Sequence, residues 1–224
     1  MSYYVLFGAM MLVSFIIQKV LQSKFNKYSK VNLPSGLTGE QVAKKMLADH
    51  GIHDVTVGCV EGTLSDHFNP TNKTVNLSEE VFHGTSVAAA AVAAHECGHA
   101  VQHATGYAPV RLRSALVPVV SFSNSVVSWV LLAGILLIEW FPGLLYVGIG
   151  LFALTTLFSV VTLPVEINAS ARAVRWLEGA GITDSQTKPM SVDALKWAAY
   201  TYVIAAVSSI ATLLYYIGIA RSND

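Results

Sequence analysis

Charge is what this chain has least of. Charged residues make up 12% of it and hydrophobic residues 53%, against about a quarter charged in soluble globular proteins. That excludes an ordinary water-soluble domain. Lys and Arg together number 14, as do Asp and Glu, so the net charge is zero; without a basic surface, no nucleic-acid partner is expected. Cysteine is nearly absent. Cys59 and Cys97 stand alone, which excludes a disulfide framework and suits a reducing compartment. No internal repeat or low-complexity tract is present. The first apolar stretch lacks a positive segment before it and a clean small-x-small site after it, which excludes a cleaved signal peptide and leaves a retained membrane helix.

What is abundant is apolar length. Residues 3–21, 116–140, 144–163 and 197–220 are long enough to cross a bilayer. Lys19, Lys24, Lys27 and Lys30 follow the first span and place its C-terminal end in the cytoplasm. Glu139 to Gly143 forms a tight interfacial turn with Trp140 and Phe141 as belt residues. Four spans put every Lys and Arg except Arg221 on one face, as the positive-inside bias expects. Segments 31–110 and 164–196 therefore share the cytoplasmic side, and both termini lie outside. The fold class expected is a multi-pass membrane protein, mainly α. Its four transmembrane helices carry a small α+β cytoplasmic part, and residues 1–224 form one membrane-embedded domain.

The first polar segment has its own pattern. Thr38 with Gln41 three residues on forms a capping box that opens a helix running through Ala48. Val42, Met46 and Leu47 give that helix one apolar face, and Gly51 stops it. Val55, Val57 and Cys59 alternate as a strand does, with a turn at Glu61-Gly62. Asp66 to Pro70 and Thr71-Asn72 make a turn between two short strands, the second being Thr74–Leu77. Asp66 and His67 read as parts of that turn, and Ser78 caps a short turn after the strand. Thr74–Leu77 then lies close enough to the next helix for an extended peptide to add to its edge.

That next helix carries His95-Glu96-Cys97-Gly98-His99 inside an alanine-rich run from Ser86 to Thr105, closed by Gly106. His95 and His99 are one turn apart, so both imidazoles leave one helix face. Two nitrogens at that spacing reach one zinc ion at about 2.0–2.1 Å. Glu96 sits roughly 100° around the helix, where it serves as a base without being a ligand. Cys97 reads as a spacer.

Two histidines leave a zinc site one protein ligand short. His103 shares their face, but eight residues of helix is roughly 12 Å, too far to share an ion with His95. A substrate-side role or plain solvation suits it better. Glu166, after Pro164 at the cytoplasmic end of the third span, is the other candidate. Its position alone is equally that of a ligand or of an interfacial carboxylate in water.

His95-Glu96-Cys97-Gly98-His99 followed by Glu166-Ile167-Asn168-Ala169-Ser170-Ala171-Arg172-Ala173 resembles the membrane gluzincins, the CAAX prenyl protease and HtpX-type peptidases. The whole chain is more similar to the bacterial YugP-like neutral zinc metallopeptidase family. Leu64-Ser65-Asp66-His67-Phe68-Asn69-Pro70, Ala91 to Glu96, Arg113 to Pro118 and Pro164-Val165-Glu166 carry that likeness. The resemblance implies Glu166 as third ligand, one zinc ion per chain, a zincin-like cytoplasmic part, a bacterial cell membrane and a quality-control role. Ser170 stands where the wider gluzincin pattern has an Asp that orients a ligand histidine. Asn168 and Ser170 are thus candidates to support the ligands.

These residues imply an endopeptidase acting on peptides or proteins beside the bilayer, with a zinc-activated water and Glu96 as general base. A zinc-binding scaffold or sensor without turnover is the competing class. Glu96 argues against it, since a structural site needs no base and is usually closed by four protein ligands. An intramembrane protease needs its motif inside a span; here polar segments flank it, although Val87 to Ala94 is apolar enough to lie partly in lipid. A transporter would want polar groups in several spans, and the one cluster, Ser121, Ser123, Asn124, Ser125 and Ser128, reads as helix packing.

Overall fold

A computed structural model of the protein describes residues 3–222; the two chain ends, both expected on the side opposite the cytoplasm, lie outside the described residues. In chain order the elements are α1 (Tyr3–Tyr28), α2 (Gly39–Asp49), β1 (Thr56–Val60), β2 (His67–Asn69), β3 (Thr74–Ser78), α3 (Glu79–His83), α4 (Val87–Ala104), α5 (Ala108–Leu136), α6 (Pro142–Gly179) and α7 (Thr187–Ser222). Among the described residues, α1 from Val5, α5, α6 and α7 are long and apolar enough to cross a membrane. α1, α6 and α7 run beyond the spans read from hydropathy into polar sequence, whereas α5 starts before its span and ends at Leu136, short of residue 140. Pro164 does not end α6; a proline there removes one backbone donor, which a long, otherwise well-bonded helix tolerates. Glu166 therefore lies inside one continuous helix that begins in the third span.

The chain divides into two units. One comprises residues 1–15, 108–164 and 202–224. Gly134 and Gly148 let α5 and α6 approach closely: a Cβ on Gly134 would stand 2.7 Å from the Leu145 Cα, and one on Gly148 2.8 Å from a Leu131 methyl. Ser123 Oγ donates to the Leu151 carbonyl at 3.4 Å, and Thr155 Oγ1 donates to Asn124 Oδ1 at 2.8 Å. Ser123 and Asn124 thus tie helices together, as small and polar residues do in apolar surroundings.

The other unit comprises residues 16–107 and 165–201. The capping box is present at Thr38 and Gln41, and Gly51 closes α2 at a φ of +68°, the left-handed region glycine enters freely. The sheet order is β1-β3-β2, with β1 parallel and β2 antiparallel to β3. Thr74–Leu77 is accordingly the middle strand, and the edge beside it is β2. Alternation marked the buried face of β3, Val75 and Leu77, but not that of β1, whose Cys59 is exposed, and it carried no information on neighbour order. Asp66 Oδ1 accepts from the Ser78 amide at 2.8 Å and from its hydroxyl at 3.1 Å, and His67 Nδ1 lies 2.7 Å from the Ser65 carbonyl. Residues 67–69, expected inside a turn, instead form strand β2 with His67 as its first residue, because they pair with β3; Asp66 just before them holds Ser78, whose hydroxyl is used there rather than to cap α3.

The core of this unit joins Val42, Ala43, Met46 and Leu47 of α2, Val75 and Leu77 of β3, the alanine face of α4, and Ala173 and Leu177 of α6. At the end of α1, Lys24 and Tyr28 both bond Asp193 of α7, at 2.7 and 2.5 Å. Leu77 is fully buried. Leu77→Ala should cost about 2–5 kcal/mol, read as a lower unfolding midpoint in detergent; an unchanged midpoint would show that β3 is not a core strand.

Candidate metal centre

Ser86 starts the site helix: its side chain accepts from the Ala89 amide, capping α4. The turns that follow are almost all alanine, so α2 packs closely on α4 and the run from Val87 to Ala94 is buried in protein apart from a partly buried Val92. That run is core, and packing against protein accounts for its apolar character. One turn further on, the same helix presents His95 and His99, each about one-eighth exposed.

Glycine at position 98 decides what faces them. A Cβ there would stand 2.7 Å from the Ala169 carbonyl oxygen and 3.1 Å from its Cα. Helices α4 and α6 thus meet backbone to backbone, and Glu166, one turn before Ala169, is delivered between the two imidazoles. Glu166 Oε2 lies 3.3 Å from His95 Nε2 and 3.5 Å from His99 Nε2. The carboxylate is 3% exposed. Ligand atoms of His95, His99 and Glu166 all lie within 4.8 Å of one another.

Two imidazole nitrogens and a carboxylate oxygen, turned toward one point and nearly sealed from water, form a donor set suited to zinc. The His99 ring feels two opposed influences. Burial disfavours its charged form, but the bond to Glu166 and the charges of Glu96 and Glu166 outweigh burial and hold its pKa above the ordinary value.

Each of the two imidazoles has a side-chain partner at Nδ1. His95 Nδ1 lies 3.1 Å from Ser170 Oγ. His99 Nδ1 lies 3.1 Å from Gln102 Oε1. Asn168 Oδ1 accepts from Gln102 Nε2 at 3.0 Å and from Arg172 Nε at 2.8 Å. Glu96, mostly buried, accepts the Phe68 backbone N–H of β2 at 2.9 Å. His103 is exposed, outside the cluster, with its ring 5.4 Å from that of Phe68. Cys97 points away into the core, where burial, then the charge of Glu96, push its thiol pKa well up; it lies outside the cluster.

Sequence reasoning found the three ligand candidates, Glu96 and Ser170, but not Gln102, Gly98 or the Phe68 amide. Gln102 had a signal: it follows His99 by three residues, on the same helix face.

Two outcomes test this geometry. Gly98→Ala gains about 1 kcal/mol of helix propensity but meets backbone that cannot swing aside, at a cost of about 1–3 kcal/mol. The variant should bind zinc at least about tenfold more weakly in a chelator competition, by analogy with lost ligand support; wild-type affinity would show that the close approach does not set the site. A maleimide should label exposed Cys59 and leave Cys97 unlabelled until the protein unfolds, as mass spectrometry of each peptide would show.

Over residues 3–221 the chain matches the model of a family described as "Putative neutral zinc metallopeptidase". Among curated proteins, "Putative membrane protease YugP" of Bacillus subtilis (strain 168) is 42% identical over 205 residues, covering 92% of this chain and 90% of that protein. No solved structure gives a significant match.

Proposed function

The chain belongs to the neutral zinc metallopeptidase family, and from that membership we propose that it is an integral-membrane zinc endopeptidase of the gluzincin type. The observation that carries the reading is the convergence of His95, His99 and Glu166 within 4.8 Å, with Glu96 beside them on the same helix. His95 Nε2, His99 Nε2 and a Glu166 oxygen would hold one zinc ion. Bound there, zinc supplies Lewis acidity, polarising the scissile carbonyl and lowering the pKa of water.

The remaining work falls to the chain's own residues. Glu96 takes a proton from the attacking water and returns it to the departing amine as the C–N bond breaks. The Phe68 amide fixes one Glu96 oxygen and leaves the other for that transfer. Strand β2 is the edge of the sheet beside Glu96, so an extended substrate adds to β2 through main-chain bonds. His103 and Phe68 then flank the substrate side. The unit that holds these residues is zincin-like in this proposal, and the whole chain acts as a single membrane-embedded domain.

The buried alanine run of α4 supports a substrate that is soluble or juxtamembrane over one cut within the bilayer. The distribution of Lys and Arg supports a cytoplasmic site with both termini outside. Quality control of membrane or misfolded proteins is the role the family likeness favours. A zinc-binding scaffold or sensor is the alternative, and one substitution separates the two. Glu96→Gln should keep one zinc per chain while proteolysis of an unfolded reporter falls by about 10²–10⁴-fold, the usual contribution of a general base. Undiminished cleavage would remove Glu96 from the role, and a zinc-loaded wild type without turnover would favour the scaffold.

A further inference from the structure

We infer that Gln102 is a positioning residue of the metal site: its amide oxygen accepts the His99 Nδ1 proton and so leaves Nε2, the nitrogen beside Glu166, to hold the metal. This inference rests on the zinc reading above. Gln102 is wholly buried, and its amide could be placed either way round until its neighbours are considered. Its Nε2 lies 2.7 Å from the Val165 carbonyl oxygen. A carbonyl only accepts, so the group facing it must be the NH₂. The same NH₂ reaches Asn168 Oδ1 at 3.0 Å. That oxygen also receives Arg172 Nε–H at 2.8 Å, and a guanidinium only donates, which settles the Asn168 amide too.

Gln102 Oε1 is then what faces His99 Nδ1 at 3.1 Å. An amide oxygen accepts, so Nδ1 carries the proton. A neutral imidazole protonated at Nδ1 has its lone pair on Nε2, the atom that faces Glu166. His95 has no such lock, because the Ser170 hydroxyl both donates and accepts. Gln102 also joins the two ligand-bearing helices, bonding His99 on α4 and the carbonyl next to Glu166 on α6. Ligand histidines usually lean on a carboxylate, carbonyl or water, and loss of that support costs about 10–100-fold in metal affinity. Here a neutral amide does that work, itself fixed by Asn168 and Arg172.

The test uses the full-length protein in detergent, with zinc affinity read by competition against a chromophoric chelator. Histidine ¹⁵N–¹H spectra of the zinc-loaded protein provide the second readout. The wild type should show a slowly exchanging His99 Nδ1–H resonance, assigned by its absence in His99→Ala. Gln102→Met should lose that resonance and bind zinc about 10–100-fold more weakly. Asn168→Ala, which leaves His99 and Gln102 in place, should weaken binding by a smaller factor and speed the exchange of the same proton. If Gln102→Met does not fold, the wild-type spectrum decides: a His99 protonated at Nε2 overturns the inference. Wild-type affinity and an unchanged resonance in Gln102→Met overturn it while leaving the zinc reading intact. A wild type that binds no zinc overturns both.

Discussion

The contact on which the site depends is the one between Gly98 and Ala169, where two helix backbones touch without a side chain between them. Glu166 has a short reach. It bridges His95 and His99 at 3.3 and 3.5 Å only because α6 passes this close to α4. The alanines that precede the histidines act in the same way on the other flank, where they let α2 sit tightly on α4. Hydrophobic burial drives this packing, but small residues determine its distance. The site is therefore a product of what α4 lacks, namely bulk, on two of its faces.

That dependence explains which parts were legible in the sequence. The spacing of His95 and His99, the place of Glu96 between them, the capping box at Thr38 and the end of α2 at Gly51 are local facts, each decided within five residues of chain. Glu166 is 67 residues beyond His99 and was reached by topology and family likeness together. Strand order was not legible, because alternation in Thr74–Leu77 says which side chains are buried and not which strands lie on either side. Helix ends were misjudged for a related reason. Hydropathy marks where a helix leaves apolar surroundings and not where its hydrogen bonding stops, so α6 and α7 extend into polar sequence.

Gln102 illustrates a harder limit. Its three bonds go to His99, Val165 and Asn168, and two of those partners are more than sixty residues away. A glutamine on a largely apolar helix face reads in sequence as an interruption. In the fold it is the group that satisfies a carbonyl, a side-chain amide and a ligand imidazole together, with nothing of its own left over in a fully buried place. Ser170 follows the same logic more weakly. Where related patterns have a carboxylate, this chain has a hydroxyl behind His95 and an amide behind His99. The negative charge around the proposed ion is then confined to Glu166 and Glu96.

Concentrating charge on those two residues has a mechanistic consequence within the proposal. A ligand imidazole backed by a carboxylate donates more strongly to its metal; one backed by an amide or hydroxyl donates less and leaves the ion more electrophilic. Glu96 is the other negative group close by, and it is not free to swing onto the ion. The Phe68 amide holds one of its oxygens at 2.9 Å, and Phe68 belongs to the edge strand on which a substrate would lie. Within the proposal, base and substrate platform then form one hydrogen-bonded assembly. A peptide that shifts β2 on binding shifts the base with it, so the distance between Glu96 and the bond to be cut is set by the strand that holds the substrate, not by the flexibility of a glutamate side chain.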